Sequence, residues 1–296
     1  MRRLFLGCFI AFILAVTSAQ AWPNETAVKL GILDFGTSSI AKLSTEKIRT
    51  VLRSVPSIQL IDADLTATAA RGAGYSGSLN MSTTEARDLG AAMDAEFYLL
   101  GDAQTVRRSS SNTPVYFESY CSIFLISSRS GRLVWWTRPR AESSTAAGAE
   151  EELGKALLDK ALVERLFEII KNTQVAESNQ RSVEVNSIAP LIAEAPDDDK
   201  TADAQGLRLP RPYRRLRPAY PDTAALAEAE ATVDVLVDVD EHGEVKEVQI
   251  ARWAGFGLDE TTVATVRQLH FFPALRNGTP IPMRVLLRYN FRKPSQ

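Results

Sequence analysis

An alternation of valine with mostly acidic residues is the feature that most limits how this chain can fold. Between Ala231 and Asp240, valine occupies positions 233, 235, 237 and 239. Because successive side chains of a β-strand point to opposite faces, this pattern predicts a strand with one buried and one exposed face. Glu241-His242-Gly243-Glu244 then predicts a hairpin turn, after which residues 245–250 return as a second strand.

A helix and a third strand complete the predicted C-terminal unit. The helix carries Leu258, Thr262, Val263, Val266 and Leu269 on one face, and its acidic start suits the helix dipole. In the last strand, alternate residues from Met283 to Phe291 face one side, and Arg284, Leu286, Arg288 and Asn290 face the other. This order predicts a ββαβ unit with the helix on one side of a small antiparallel sheet.

The motifs of this region, about residues 209–294, resemble those of the TonB C-terminal domain family. The residues that carry the resemblance are Tyr220-Pro221, Val233-Val235-Val237-Val239-Asp240, Gly243, Val245, Val248, Gly255, Leu258-Asp259, Phe272-Pro273-Ala274 and Gly278-Thr279-Pro280. The sequence departs from the family pattern before the first strand, where Glu230 or Ala231 stands at the position of a small residue. The resemblance implies a domain that contacts outer-membrane transporters by pairing an exposed strand with a short partner segment.

By this resemblance the binding site is the edge of a sheet rather than a pocket. We expect the partner to bind the last strand, Arg284 to Arg292, through Arg284, Leu286, Arg288 and Asn290, with Tyr220 and Pro221 flanking the strand. The alternative interpretation is that these residues only complete the sheet and that Tyr220 is a packing residue.

The N-terminal region, residues 27–172, predicts an α/β domain with a mixed sheet. Strands are predicted at 28–35, 58–61, 97–101, 115–127 and 133–137, and helices at 39–55, from about Ser82, and from about Ala147 to Asn172. Ser82 and Glu85 have the spacing of a capping box. The last three strands follow one another without a helix, so that half of the sheet must be antiparallel. The predicted fold class of the whole chain is therefore α+β.

The element order of this region resembles the periplasmic TolB N-terminal, CsgG and LpoB-like domains. Two phrases add to the resemblance, "VKLGILDF" from Val28 and "LGAAMDAEFYLLGDAQ" from Leu89. It implies an accessory role in the cell envelope and specifies no ligand.

Residues 1–21 have the pattern of a cleavable signal peptide. Arg2 and Arg3 precede an apolar run from Leu4 to Val16, and Ala19-Gln20-Ala21 has the form of a signal-peptidase site. The apolar run is shorter than the roughly 20 residues that a membrane-spanning helix needs. We therefore expect an exported periplasmic protein, and an inner-membrane anchor is the alternative.

A flexible linker is predicted at 173–208, because no apolar period survives there and polar residues dominate. The C-terminal domain, 209–296, opens with alternating arginines and prolines that favour an extended, basic backbone. This stretch could contact an anionic partner, and a solvated connector is the alternative.

Composition and motifs argue against an enzyme. The net charge of -2 gives no general attraction to nucleic acid, and the chain has two histidines and two cysteines, of which the leader would remove Cys8. No phosphate-binding loop or dinucleotide fingerprint is present. The acidic residues of the hairpin turn, Asp238, Asp240, Glu241 and Glu244, could hold a weak cation, but a solvated turn is the simpler interpretation. We expect no cofactor.

The leading hypothesis is a periplasmic protein whose TonB-like domain binds an outer-membrane or periplasmic protein, a TonB-dependent transporter being one candidate. A structural or regulatory envelope component that uses this domain to form a homo-oligomer is the first alternative. The second is a membrane-anchored energy transducer, which requires an uncleaved leader. That leader lacks the histidine by which TonB engages its motor.

Overall fold

The N-terminal half of the chain forms a mixed sheet with helices. The computed structural model describes residues 27–110, 113–186, 192–196 and 199–293, so the predicted signal peptide lies outside the described residues. The elements are β1 Val28–Ile32, α1 Ser39–Arg53, β2 Ile58–Leu60, α2 Ala63–Gly72, β3 Met81–Ser82, α3 Thr83–Ala92, β4 Phe97–Ser110, β5 Thr113–Ser127, β6 Leu133–Thr137, β7 Arg140–Ser143, α4 Ala146–Ala156 and α5 Lys160–Asn186. Within the described ranges, no helix combines the length and apolar character needed to cross a bilayer.

The strands of this sheet lie in the order β2-β1-β4-β5-β6, and β7 also pairs with β5. β1 runs parallel to β2 and β4, whereas β4, β5, β6 and β7 pair antiparallel. The mixed sheet is as predicted. The predicted capping box is also present, since the Ser82 hydroxyl accepts from the Glu85 N–H at 3.1 Å and the Glu85 carboxylate accepts from the Ser82 N–H at 2.7 Å.

Two helical features differ from the sequence prediction. α2 was not predicted, because only Thr66 and Ala70 of its residues are buried and the sequence shows no apolar period. The long helix predicted from Ala147 to Asn172 is instead two helices, and α5 begins after Asp159, whose carboxylate accepts the Ala161 N–H at 3.0 Å.

Much of the predicted flexible linker has regular structure. α5 continues to Asn186, held by polar contacts in which the Glu177 carboxylate accepts from Ser127 at 2.6 Å and the Glu177 carbonyl accepts from Arg129 at 2.7 Å. Contacts of this kind leave no apolar period, so the sequence did not reveal the helix.

The remaining elements build the C-terminal part. They are β8 Ala193–Glu194, α6 Asp199–Ala204, β9 Leu207–Arg208, β10 Arg211–Pro212, α7 Asp222–Ala227, β11 Ala231–Val239, β12 Val245–Trp253, α8 Leu258–Val266, β13 Phe271–Phe272, β14 Ala274–Arg276, β15 Thr279–Ile281 and β16 Met283–Phe291. The predicted hairpin is β11–β12, α8 packs on it, and β16 pairs with β11 over its full length. A side chain at Gly243 in the hairpin turn would overlap the Phe271 carbonyl, and its φ of 85° suits glycine.

The C-terminal sheet takes one strand from the N-terminal half. Its order is β3-β12-β11-β16-β8, and β3 pairs antiparallel with the end of β12. Asn80, just before β3, donates to the carbonyls of Thr232 at 2.8 Å and Trp253 at 2.6 Å and accepts from the Thr232 N–H at 3.1 Å. The edge of β12 is therefore closed at this end by the N-terminal half.

The two halves also share one apolar core around Trp253. Its ring is 1% exposed, its indole N–H donates to the Gly131 carbonyl at 3.0 Å, and it stacks on Phe124 at 6.2 Å between ring centroids. Phe256 packs edge-on against Phe124 at 5.3 Å and lies 5.4 Å from Trp136. A second core lies wholly within the N-terminal half, among β1, β4, β5 and helices α1, α4 and α5.

Because Trp253 belongs to the shared core, we expect Trp253→Ala to lower the free energy of unfolding by about 3–5 kcal/mol. Unfolding in urea, followed by circular dichroism, measures this change. We expect both halves to unfold in a single transition, which the substitution shifts as a whole to lower urea concentration. Leu226→Ala is the matched control, since Leu226 is 52% exposed and its truncation should cost less than about 0.5 kcal/mol. Two separate transitions, only one of them shifted by Trp253→Ala, would contradict a shared core.

Candidate partner-binding edge

The outer side of β16 is covered by another strand only at its beginning. β11 pairs with β16 from Met283 to Phe291, but on the opposite side β8 pairs with Met283 and Arg284 alone, in parallel. The Ala195 N–H donates to the Arg284 carbonyl at 2.8 Å. In the part of the chain that the structure describes, no strand covers β16 beyond Arg284.

The bond from Ala195 shows which backbone groups of β16 point outward. In an antiparallel pair, the N–H and C=O of one residue point to the same side, and successive residues alternate sides. Since the Arg284 carbonyl points away from β11, the N–H and C=O groups of Leu286, Arg288 and Asn290 point away from it too. The open edge therefore begins at Leu286, and the Arg284 carbonyl is already occupied by the chain itself.

The side chains of Arg284, Leu286, Arg288 and Asn290 lie on the outer face of the sheet. There each arginine donates two hydrogen bonds to one aspartate of β11, an arrangement named here a fork. Arg284 donates through Nε and Nη2 to the Asp238 carboxylate at 2.6 and 2.8 Å. Arg288 donates in the same way to Asp234 at 2.7 and 2.9 Å. These bonds raise the pKa of both guanidinium groups above the ordinary value for arginine. Each fork therefore fixes one guanidinium group beside one carboxylate, and the pair as a whole carries no net charge.

An apolar pair lies between the two forks. Leu286 of β16 is directly opposite Leu236 of β11, and Leu286 is 52% exposed. Farther along β16, the Asn290 side-chain oxygen accepts a hydrogen bond from the Thr232 hydroxyl at 2.8 Å. The outer face thus has an apolar centre with charged and polar groups on both sides.

Tyr220 lies near the far end of β16, and Pro221 lies beside Gly257 at the start of α8. The Tyr220 hydroxyl donates toward the carbonyls of Ala224 at 3.2 Å and Ala229 at 2.8 Å, and its ring lies 6.4 Å from that of Phe291. Partial burial raises the pKa of the Tyr220 hydroxyl. The hydroxyl has partners within the fold, so this geometry fits the packing interpretation of Tyr220.

The carboxylates of the hairpin turn have protein partners. Asp240 accepts from Lys246 at 2.9 Å and from the backbone N–H groups of His242 at 2.9 Å and Glu244 at 2.8 Å. The Lys246 hydrogen bond, followed by the two backbone bonds, lowers the pKa of Asp240 from 3.8 to about 2. Glu244 contacts His270 at 3.1 Å. Among the described residues, no group of three or more histidine, cysteine or acidic side chains is arranged to hold a metal ion.

Two features of the surface have no signal in the sequence. One is β8, since a two-residue strand has no period to detect. The other is a groove of about 390 Å³ between β6 and α8, whose lining includes Trp136, Trp253 and Val263. Asp259 lies in this groove, where burial raises the pKa of its carboxyl to about 7 although it accepts backbone hydrogen bonds from Gly255 and Ala254.

One protein family matches the C-terminal part of the chain. Residues 217–292 match the model of the family described as the Gram-negative bacterial TonB protein C-terminal. The resemblance read from the sequence is therefore confirmed for this region. No curated protein matches the chain.

Solved structures that are similar to the chain include representatives of both resemblances. The TonB C-terminal domain of Pseudomonas aeruginosa is 18% identical, with 36% of this chain and 99% of that one covered and a TM-score of 0.27. LpoB of E. coli is 19% identical, with 40% and 58% covered and a TM-score of 0.29. PelC of Paraburkholderia phytofirmans is 11% identical, with 45% and 86% covered and a TM-score of 0.28.

Because the pKa of Asp240 is lowered in the folded protein, this carboxylate contributes stability above about pH 4 that is lost as the pH falls through about 2. We expect Asp240→Asn to be less stable than wild type by about 1–3 kcal/mol near neutral pH. The difference should shrink as the pH falls below about 4 and vanish below about 2, where Asp240 is itself largely uncharged. Urea unfolding over this pH range measures it. Glu241→Gln in the same turn is the control, and a difference for Asp240→Asn that does not change with pH would contradict the assignment.

Proposed function

We propose that this chain is an exported envelope protein whose TonB-like C-terminal domain binds a protein partner by strand addition to β16. The observation that carries the proposal is the row of outward backbone groups at Leu286, Arg288 and Asn290. In strand addition, backbone hydrogen bonds give affinity and alternate side chains give specificity. At this edge the backbone N–H and C=O groups that would form such bonds are not paired with another described strand.

The proposed edge is short and selective. Three residues with outward backbone groups, at alternate positions from 286 to 290, accommodate a partner segment of about five residues. Proteins protect open edges from indiscriminate pairing with charged side chains. Arg284 and Arg288 supply that protection here, while Leu286 offers an exposed apolar contact between them. A partner strand must therefore suit both the leucine and the two guanidinium groups.

The partner we propose is an outer-membrane or periplasmic protein, with a TonB-dependent transporter as one candidate. Tyr220, whose ring lies 6.4 Å from that of Phe291, and Pro221 after it are proposed to flank the bound segment. The proposed location is the periplasm, after removal of residues 1–21. Measuring the mass of the mature protein tests that removal, and retention of the leader would instead favour an inner-membrane anchor.

A homo-oligomeric envelope component is the second candidate, and the same edge favours it. A single exposed strand can pair with its copy across a twofold axis, because such an interface uses the same surface on both subunits. Analytical ultracentrifugation of wild type and an edge-blocked variant distinguishes the two. A dimer that becomes a monomer when the edge is blocked favours oligomerisation, whereas a monomer in both favours a different partner.

Leu286→Pro is the variant that blocks the edge. Proline at position 286 removes an outward N–H, and the pairing of β16 with β11 uses the N–H groups of neighbouring residues instead. Leu286→Ala is the matched control, because it removes the same side chain and keeps the N–H. We expect immobilised wild type to retain an envelope protein from an extract, Leu286→Ala to retain less of it because the apolar contact is lost, and Leu286→Pro to lose it.

Hydrogen exchange on the purified complex then locates the contact. The amides of Leu286, Arg288 and Asn290 should exchange more slowly when the partner is bound. If Leu286→Pro, folded by circular dichroism, retains the same proteins as Leu286→Ala, strand addition to β16 is wrong.

A further inference from the structure

An exposed arginine-rich segment lies outside the proposed binding edge. Residues 207–217, named here the arginine ribbon, contain five arginines and no acidic residue in a chain whose net charge is -2. The arginines are Arg208, Arg211, Arg214, Arg215 and Arg217, and all five side chains are exposed. Positive charge is therefore concentrated at one place on a protein that is slightly negative as a whole.

These five arginines are free of ion pairs with the carboxylates that the structure describes. The contrast with other arginines is clear, since Arg284 and Arg288 are held in carboxylate forks and Arg138 is paired with Glu118. A guanidinium group without an internal partner keeps all its donors for an external anion. The ribbon therefore offers hydrogen-bond donors to the phosphate or carboxylate of an external partner.

The backbone of the ribbon is fixed. Arg208 lies opposite Leu275 in the β9–β14 pair, and Arg211 lies opposite Phe272 in the β10–β13 pair. The Tyr213 N–H donates to the His270 carbonyl at 2.8 Å. These bonds hold the first part of the ribbon against the C-terminal domain, so its charges are presented from defined positions rather than from a free chain.

Two exposed aromatic rings accompany the charges. Tyr213 is 58% exposed and Phe272 is 61% exposed, and their ring centroids are 4.3 Å apart. Arg211 shares their face, because it is directly opposite Phe272 and two residues before Tyr213. Exposed rings beside basic side chains are typical of surfaces that lie at a membrane interface, where the rings reach the acyl boundary and the charges meet headgroups.

We propose that the arginine ribbon, with Tyr213 and Phe272, is a docking surface for anionic phospholipid headgroups. The unpaired guanidinium groups donate to lipid phosphates, and the two rings enter the interface between them. Nucleic acid fits this surface less well, because the rings pack on each other and their faces are not both free to stack on bases. The surface is separate from the open edge of β16 and does not depend on strand addition.

Vesicle binding tests the proposal. The chain from residue 22 onward, lacking the apolar leader that would itself insert into lipid, is sedimented with vesicles of phosphatidylcholine alone or with phosphatidylglycerol added. We expect binding only when phosphatidylglycerol is present, and weaker binding as salt rises. Arg211→Ser/Arg214→Ser/Arg215→Ser should lower the partition coefficient on the order of 100-fold.

The matched control is Arg53→Ser/Arg107→Ser/Arg140→Ser, which removes the same charge from other exposed positions and should bind nearly as wild type. Tyr213→Ser/Phe272→Ser should weaken vesicle binding without changing binding to soluble polyphosphate. All three variants are checked for native circular dichroism. Equal vesicle binding by the two arginine triples would overturn the proposal. So would an aromatic variant that binds vesicles as wild type, because the ribbon would then be a general polyanion site.

Discussion

The packing of Trp253 between the two halves of the chain is the interaction on which the rest of the structure depends. Its ring stacks on Phe124 from the first sheet, and its indole N–H is satisfied by the Gly131 carbonyl. Asn80 bonds the backbone of both Trp253 and Thr232, so the place where β3 joins β12 is fixed by apolar packing and hydrogen bonds together. The C-terminal sheet is consequently built on the N-terminal half rather than tethered to it.

Short strands cover part of each edge of the C-terminal sheet. β3 pairs with the last residues of β12 and β8 with the start of β16, so among the described residues the uncovered stretches are the earlier part of β12 and the outward groups of β16 from Leu286 to Asn290. The forks of Arg284 and Arg288 with Asp238 and Asp234 hold the side chains beside that stretch in place. A partner that adds a strand there would meet a prearranged surface and would order few groups on binding.

Elements with a periodic pattern of apolar residues could be predicted from the sequence. Elements held only by contacts with distant parts of the chain could not. The valines from Val233 to Val239 specify β11 because one face is buried, and the same alternation placed Leu286, Arg288 and Asn290 on one face of β16. Strands of two residues, such as β3 and β8, have no period, and the second half of α5 is held by polar contacts through Glu177. That the Arg284 carbonyl bonds Ala195 could not be predicted either, because it depends on where the chain returns after α5.

One core joins the two halves into a single cooperative unit that holds the β16 edge open. Native-state hydrogen exchange in low concentrations of urea tests it most directly, because it reports the free energy of opening for each part of the structure. We expect the slowest amides of β5 and of β11 to exchange with the same free energy and the same urea dependence. If the β11 amides exchange through an opening whose free energy is several kcal/mol lower than that of the β5 amides, the two halves do not form one cooperative unit.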